Sequence, residues 1–555
     1  MLRHWTVTRV GRVGVAIAVI LGVGGTAALQ IGGLGAPSAA ASPAVTPTIW
    51  VVNQDSSTLV SYPLSATGNA TPGVTISSDG SSLNNPFGTE AFDAAGDLWI
   101  SNLDTNTLVE YTPSQLASTG SPTPAVTISS DGSSLDSPGS VAFDRSGDLW
   151  ALNESGAIVE YTPSQLASSG APTPAVTISG NESPYGLAFD GSGDLWVADS
   201  GKNTVIEYTP SQLESSGSPT PTVTLSTDAS SSIDSPSGVA FDSSGDLWVT
   251  NTNTYSLVEF TPSQLASSGA PTPAVTISPN ASSLDGPYSL AFDAGGNLWV
   301  ANAYSDGLVE YAPSQLAASG APTPVNTIVG AATGMSAPGG VVIEQAPTVT
   351  SVVPNAGPAA GGTTVTIHGT GFNYGSTVDF GPTAATSVTY ESPFELTAVS
   401  PAGSGVANVT VNTFAGTSAT SSADQFTYAS SGYTLVGSDG GTFALGTAPF
   451  LGSLPADGVH VANIVGIAPT PSGSGNWLVG SDGGVFAFGS AAFYGSLPAE
   501  GVHVKNIVGI APAPGGNGYW LVGSDGGIFA FGSATYQGSL PGDGVHASNI
   551  VGIAG

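Results

Sequence analysis

Apolar and aromatic residues recur along this chain in short runs punctuated by Asp and Gly turns, and one such run repeats. It reads VAFDRSGDLWALN from Val141, LAFDGSGDLWVAD from Leu187, VAFDSSGDLWVTN from Val239 and LAFDAGGNLWVAN from Leu290. The tryptophans of six copies are Trp50, Trp99, Trp150, Trp196, Trp248 and Trp299, spaced 49, 51, 46, 52 and 51 residues apart. A period near fifty with several short strands per unit predicts a ring or stack of small sheets, since no single unit can bury its own apolar face. Within a unit, PGSVAFD, DLWALN, AIVEYTP and PAVTIS each predict a strand, being rich in Val, Ile, Phe, Tyr and Thr.

The connections are equally patterned. Asp93, Asp144, Asp190, Asp242 and Asp293 each open an Asp-x-x-Gly-Asp-like turn between the first two strands. They resemble a ring of carboxylates, but their repetition assigns them to turn formation, where Asp bonds local backbone and Gly accepts positive φ. Between the third and fourth strands, TPSQLASSGAPTP predicts a helix of one or two turns. Thr162 suits its N-cap, Pro163 its first position, Gln165 a capping box and Gly170 its end.

The ends of the repeat region predict its closure. TIWVVN (48–53) is a second strand without a first, and PGGVVIE (338–344) is a first strand without a second. Joining them completes a sixth unit and removes the open sheet edges that repeated strands otherwise expose. The expectation is an all-β chain whose residues 47–344 form a six-bladed β-propeller of 24 strands.

The stretch from Pro184 to Tyr208, PYGLAFDGSGDLWVADSGKNTVIEY, resembles the NHL-type propeller repeat. That family is related in shape to gluconolactonase-like and streptogramin-lyase-like propellers. The resemblance implies a binding platform more often than an enzyme. Residues 347–428 resemble an IPT/TIG domain through the PNAGPAAGG turn, the GTGF bulge and the closing FTY, which implies an immunoglobulin-like sandwich. Such domains in exported proteins commonly serve as spacers or adhesive modules.

A second repeat, of 43 residues, occupies 432–555 and starts its units at Leu435, Leu478 and Leu521. LVGSDGGTFALG, LVGSDGGVFAFG and LVGSDGGIFAFG resemble the GYWLVxSDGGIFxFG repeats of secreted bacterial cell-surface proteins. Three units predict a partial, propeller-like β-repeat with an open edge, a pairing with another chain, or a shortened relative of longer proteins. His460, His503 and His546 recur in one register without a second ligand at i+3 or i+4, which points to structure rather than metal. Asp439, Asp482 and Asp525 fit hairpin turns. His368, alone in its domain, reads as a strand residue.

Charge narrows the partners. Six Lys plus Arg stand against 39 Asp plus Glu, for a formal net charge of −33. Arg3, Arg9 and Arg12 precede any domain, leaving Arg145, Lys202 and Lys505 as the remaining cations. Nucleic acid and anionic lipid are poor partners for such a surface. No cysteine is present, which removes disulfides, thiolate zinc sites and thiol nucleophiles. Residues 1–41 combine a basic start, an apolar run and a small-residue stretch, the parts of a secretory signal peptide cleaved near Ala41. Left uncleaved, the same run would be a membrane anchor. The expected location is therefore extracellular, including the cell wall.

In a repeat protein the departures from the repeat are the better functional candidates. Asn53, Asn102, Asn153, Asp199, Asn251 and Asn302 follow each Trp by three residues and suit turn capping; spread around a ring, they do not converge on one Ca²⁺. Phe87, Tyr185, Tyr288, Tyr255 and Tyr304, with Lys202, fall in loops predicted to share one face. Aromatic rings with polar neighbours suit a glycan or a protein partner; the plainer reading is loop packing. Glu90 occupies a column filled elsewhere by Val141, Leu187, Val239, Leu290 and Val341, a costly place for an acid unless it meets water or a cation. By resemblance to gluconolactonase-like propellers, which hold a metal near the channel mouth, Glu90, Asn153 and Asp199 would form a site for a divalent cation such as Ca²⁺; no other cofactor is expected. Residues 47–344 contain neither His nor Cys, so the His that streptogramin-lyase-like chemistry uses as its general base is missing, and no Gly-x-Ser-x-Gly elbow is present. Paired-carboxylate hydrolysis stays open. The leading expectation is a secreted, non-enzymatic binding or adhesion protein. The alternatives are a metal-dependent lactonase- or lyase-like enzyme and a structural wall or matrix component.

Overall fold

The structure is a computed structural model that describes residues 46–80, 82–227, 232–281, 283–429, 432–446 and 448–554. The expected signal segment, with Arg3, Arg9, Arg12 and Ala41, lies outside the described residues.

Six four-stranded antiparallel sheets form the propeller. In blade 1 the closing strand Pro338–Glu344 pairs with Thr48–Asn53, with Val341 opposite Val51, and Thr58–Pro63 and Val74–Ser77 follow outward. Blades 3 to 6 begin at the inner strands Pro138–Phe143, Pro184–Phe189, Pro236–Phe241 and Pro287–Phe292. Blade 2 departs from them. Its inner strand is only Ala91–Phe92, because PFGTEAFD carries one residue more than PGSVAFD between the shared Pro and Asp.

The Trp phrase folds as its chemistry requires. Asp144 Oδ1 accepts the N–H groups of Ser146 (2.8 Å) and Asp148 (3.0 Å), while Gly147 takes φ +82° to reverse the chain. The other oxygen of Asp144 accepts the indole N–H of Trp150 at 3.1 Å. Apolar clusters lie between blades rather than within them; Trp99 of blade 2, for example, packs with Val141, Leu149 and Ala151 of blade 3.

The PSQL segments are helices of four residues, each with a buried Leu, and Gln165 Oε1 accepts the Thr162 N–H as a capping box requires. Gly170 does not end the helix, which caps at Ala167. Its N–H instead donates to Thr127 O of blade 2 (3.0 Å), and its carbonyl accepts the Ser129 N–H (2.7 Å). The same clasp recurs at Gly120, Gly217, Gly269 and Gly320, so the repeated loop stitches each blade to the one before it.

Residues 348–429 form two packed sheets. One contains Thr348–Val353, Thr364–Thr370, Glu395–Val399 and Ser387–Ser392; the other is built around Gly405–Thr413. Val365, Ile367, Leu396, Val409, Val411 and Phe426 fill the core between them. Beyond this sandwich come a two-stranded sheet, Tyr433–Val436 with Thr442–Leu445, and two three-stranded sheets centred on Gly475–Gly480 and Gly518–Gly523. Among the described residues no helix is long and apolar enough to cross a membrane.

Candidate functional site

A Pro-x pair opens five of the inner strands and precedes the short one of blade 2, and the x residues run Phe87, Gly139, Tyr185, Ser237, Tyr288, Gly339 around the ring. Large rings alternate with small side chains, so three aromatics from blades 2, 4 and 6 meet at this mouth. Phe87 lies edge-on to Tyr185 at 5.7 Å and to Tyr288 at 5.4 Å between ring centroids. Tyr288 continues to Tyr304 at 6.2 Å, and Tyr304 to Tyr255 at 6.0 Å. Five rings therefore form one edge-to-face chain, a favourable arrangement for aromatic quadrupoles.

The small positions make this possible. A Cβ on Gly339 would press on the Phe87 ring at 3.0 Å, and Gly286, at φ +66°, backs the Tyr304 ring. Exposure is graded along the chain: Phe87 is 6% exposed, Tyr185, Tyr288 and Tyr255 are half-buried, and Tyr304 is 57% exposed. Burial, and then the neighbouring Tyr304 hydroxyl, push the Tyr288 phenol well above its usual range.

Lys202 does not join the rings. Its ammonium donates to Gly180 O at 2.7 Å and pairs with Asp199 Oδ2 at 3.4 Å, which ties it to the loops of blade 4.

The Asn column bridges the turn that follows it, Asn53 Nδ2 donating to Thr58 Oγ1 (3.0 Å) and Asn102 Nδ2 to Thr107 Oγ1 (3.1 Å), and has a second task besides. Asn153 Oδ1 accepts the Asp136 N–H (3.0 Å) and its amide donates to Ser134 O (2.9 Å). Asn102, Asn251 and Asn302 make the same pair of bonds, and Asn53 does so across the closure to Ser336 and Gly334. Each thus holds the loop that delivers the chain to its own blade's inner strand.

Glu90, Asn153 and Asp199 each have their own local surroundings. Asn153 is committed to Ser134 and Asp136, and Asp199 to the Glu182 N–H and Lys202. Glu90 sits beside Val52 and Gly340 of blade 1, 2% exposed, with neither oxygen hydrogen-bonded. Burial pushes its carboxyl up to about 8, and nearby backbone N–H groups of Glu90 and Val52 offset this only in part. A carboxyl that keeps its proton lowers the cost of placing Glu in this column.

Two clusters that could hold a cation escaped the repeat-based reading, which saw only turns. Asp144, Asp148 and Glu160 bring carboxylate oxygens within 4.8 Å of one another, as do Asp242, Asp246 and Glu259. Burial, then the neighbouring aspartates, push Glu160 and Glu259 up to about 7. The signal was present in the sequence as Glu four residues into each third strand, opposite Trp.

The other mouth is roofed by the Ig-like sandwich. Phe92 and Phe143, at the far ends of their inner strands, stack on Phe414 (5.2 Å) and Tyr374 (5.6 Å) of that domain. Arg145 pairs with Glu391 at 3.2 Å, and Gln345 Oε1 accepts the Ala294 N–H at 2.8 Å. Between the two domains lies a cavity of about 1410 Å³.

Residues 347–428 match the family model of the IPT/TIG domain. No curated protein matches the chain. Among solved structures, a protein of unknown function from Bacteroides caccae is 11% identical with a TM-score of 0.39, covering 54% of this chain and 98% of its own. A nidogen/laminin complex is 12% identical, TM-score 0.36, with coverage of 54% and 98%. Virginiamycin B lyase from Staphylococcus aureus is 15% identical, TM-score 0.28, with coverage of 51% and 76%. These likenesses are too distant to speak for function.

Proposed function

We propose that this is an exported, non-enzymatic binding protein that engages a glycan with the aromatic mouth of its propeller and carries the Ig-like domain and terminal repeats as spacer and surface modules. The single observation behind this reading is the continuous chain Tyr185–Phe87–Tyr288–Tyr304–Tyr255. Its buried end makes a rigid base, and its exposed end offers a ring and hydroxyl to a sugar, an apolar face with a polar tip. A protein partner anchored on the same rings is the second form of this reading. NHL-type ancestry of the repeats and an extracellular or wall-associated location belong to the same proposal.

The catalytic alternative has less support. Of the residues read for its cation, Asn153 and Asp199 bond within their own loops and Glu90 is buried at the seam.

A glycan array probed with the full chain, followed by pull-down on the insoluble polysaccharide it identifies, tests the proposal. Retention that falls at least about tenfold in Tyr288→Ala/Tyr304→Ala, with unchanged melting, supports it. Retention that is absent, or indifferent to both substitutions, overturns it.

A further inference from the structure

The cavity between the propeller and the Ig-like domain is separate from the aromatic mouth and has a different chemistry. Its propeller wall is the ring of inner-strand ends. Phe92 and Phe143 are covered by Ig-domain rings, but Phe189, Phe241 and Phe292, from blades 4 to 6, line the cavity half-buried. No Ig-domain ring stacks on these three among the described residues. The opposite wall carries Phe394 and His368. The side chains of His368 and Glu395 are 45% and 41% exposed, so the cavity reaches solvent beside them.

Acids surround this aromatic wall without cations to match. Asp194, Glu207, Asp242, Glu259 and Glu395 all line it. The one Lys or Arg on the lining, Arg145, is already engaged by Glu391 and by the carbonyl of Gly191. Glu395 lies 3.4 Å from His368 Nδ1, while burial, then the neighbouring aspartates, push Glu207 up to about 7.

Blade 5 also breaks the repeat here. In blades 3 and 4 the turn aspartate accepts the indole N–H of its Trp at 3.1 Å. Trp248 is 1% exposed and lines the cavity, yet its N–H has no partner. Asp242 holds its turn through Oδ1 and makes no bond to the indole, and its carboxylate belongs to one cluster with Asp246 and Glu259.

We infer that this cavity binds an organic cation with an apolar body, a protonated or quaternary amine whose skeleton lies on Phe189, Phe241 and Phe292 while its charge faces Asp242, Glu207 and Glu259. Aromatic faces and carboxylates both favour such a cation, and both gain strength in a partly desolvated space. The volume of about 1410 Å³ exceeds the roughly 300–1,000 Å³ usual for ligand pockets, so it admits a bulky amine.

Calorimetric titration of the full chain with phenethylamine and with benzyltrimethylammonium, against neutral 2-phenylethanol, tests the inference. Saturable one-to-one binding of the cations is expected, with 2-phenylethanol at least about tenfold weaker. Glu207→Gln/Glu259→Gln should weaken the cations by a similar factor. If that variant folds poorly, Glu395→Gln at the entrance should still weaken them by at least about threefold. Tyr288→Ala/Tyr304→Ala, at the opposite mouth, should leave the affinity unchanged, which keeps this result independent of glycan binding. No binding of either cation, equal affinity for the alcohol, or affinity untouched by the Glu→Gln changes overturns the inference.

Discussion

The carboxyl of Glu90 occupies the space that a side chain on Gly340 would need. Glu90 immediately precedes the short inner strand of blade 2 and Gly340 belongs to the strand that closes the ring, so an acid and a missing side chain fit together at the propeller's seam.

Stability should therefore depend on pH through Glu90. Its folded-state pKa of about 8 lies above the unfolded value of about 4.3, so the folded chain keeps a proton that the unfolded chain releases. The associated stability is fully present below pH ~4.3 and is lost as pH rises towards about 8. In Glu90→Gln that loss should disappear, and melting curves between pH 5 and 9 should flatten relative to the parent. Equal slopes in the two proteins would contradict the assignment.

Gly340→Ala should destabilise by roughly 1–3 kcal/mol, the usual scale for overpacking. Because the Gly88 carbonyl crowds the same point, pairing it with Glu90→Ala should relieve only part of the loss. Urea titration of the single and double variants would show this as incomplete recovery of the midpoint.

The aromatic chain should separate into a structural end and a working end. Phe87→Ala removes a ring that is 6% exposed and should cost about 3 kcal/mol. Tyr304→Ala, at 57% exposure, should change stability by no more than about 0.5 kcal/mol. Calorimetric melting of the two variants checks the contrast.

A second pH effect should come from the carboxylate clusters. Burial and then Asp148 push Glu160 up to about 7, so its contribution, complete below pH ~4.3, fades as pH climbs through 7. Glu160→Gln should raise the melting temperature at pH 8 while leaving it nearly unchanged at pH 4. A rise at both pH values would point to packing instead of charge.

The terminal repeats offer a test by position alone. Leu435, Leu478 and Leu521 share one place in the repeat, yet Leu435 is 52% exposed and the other two are fully buried. Leu478 packs with Leu454 and Val436 of the preceding unit, a neighbour that Leu435 lacks. Leu478→Ala should cost about 2–5 kcal/mol in that region and Leu435→Ala less than about 0.5. Hydrogen exchange across 475–489 would report the difference.

The repeat phrase made the blade legible because every signal in it is local. Asp144, Gly147 and Trp150 lie within seven residues of one another and make their turn without help from other blades. The aromatic cluster was legible for a related reason: equivalent positions in a ring must share a face, so Phe87, Tyr185 and Tyr288 had to meet once the repeats were aligned. Lys202 misled because two loop atoms, Gly180 O and Asp199 Oδ2, capture its ammonium. The surroundings of Glu90, Asn153 and Asp199 were not legible from residue type, since each side chain answers to neighbours in its own loop or seam.

Local spacing and alternation were enough to determine the blades, their turns, the closing strand and the Ig-like domain beyond, since those features depend on contacts between near neighbours or identical units. The cavity and the protonated acid at the seam were decided only in three dimensions. Phe414 and Tyr374 show no pattern that names Phe92 and Phe143 as partners, and Glu90 meets Gly340 only after the chain has come full circle. Contacts between unlike surfaces leave no period in a sequence, because shape and charge set them once each domain has folded.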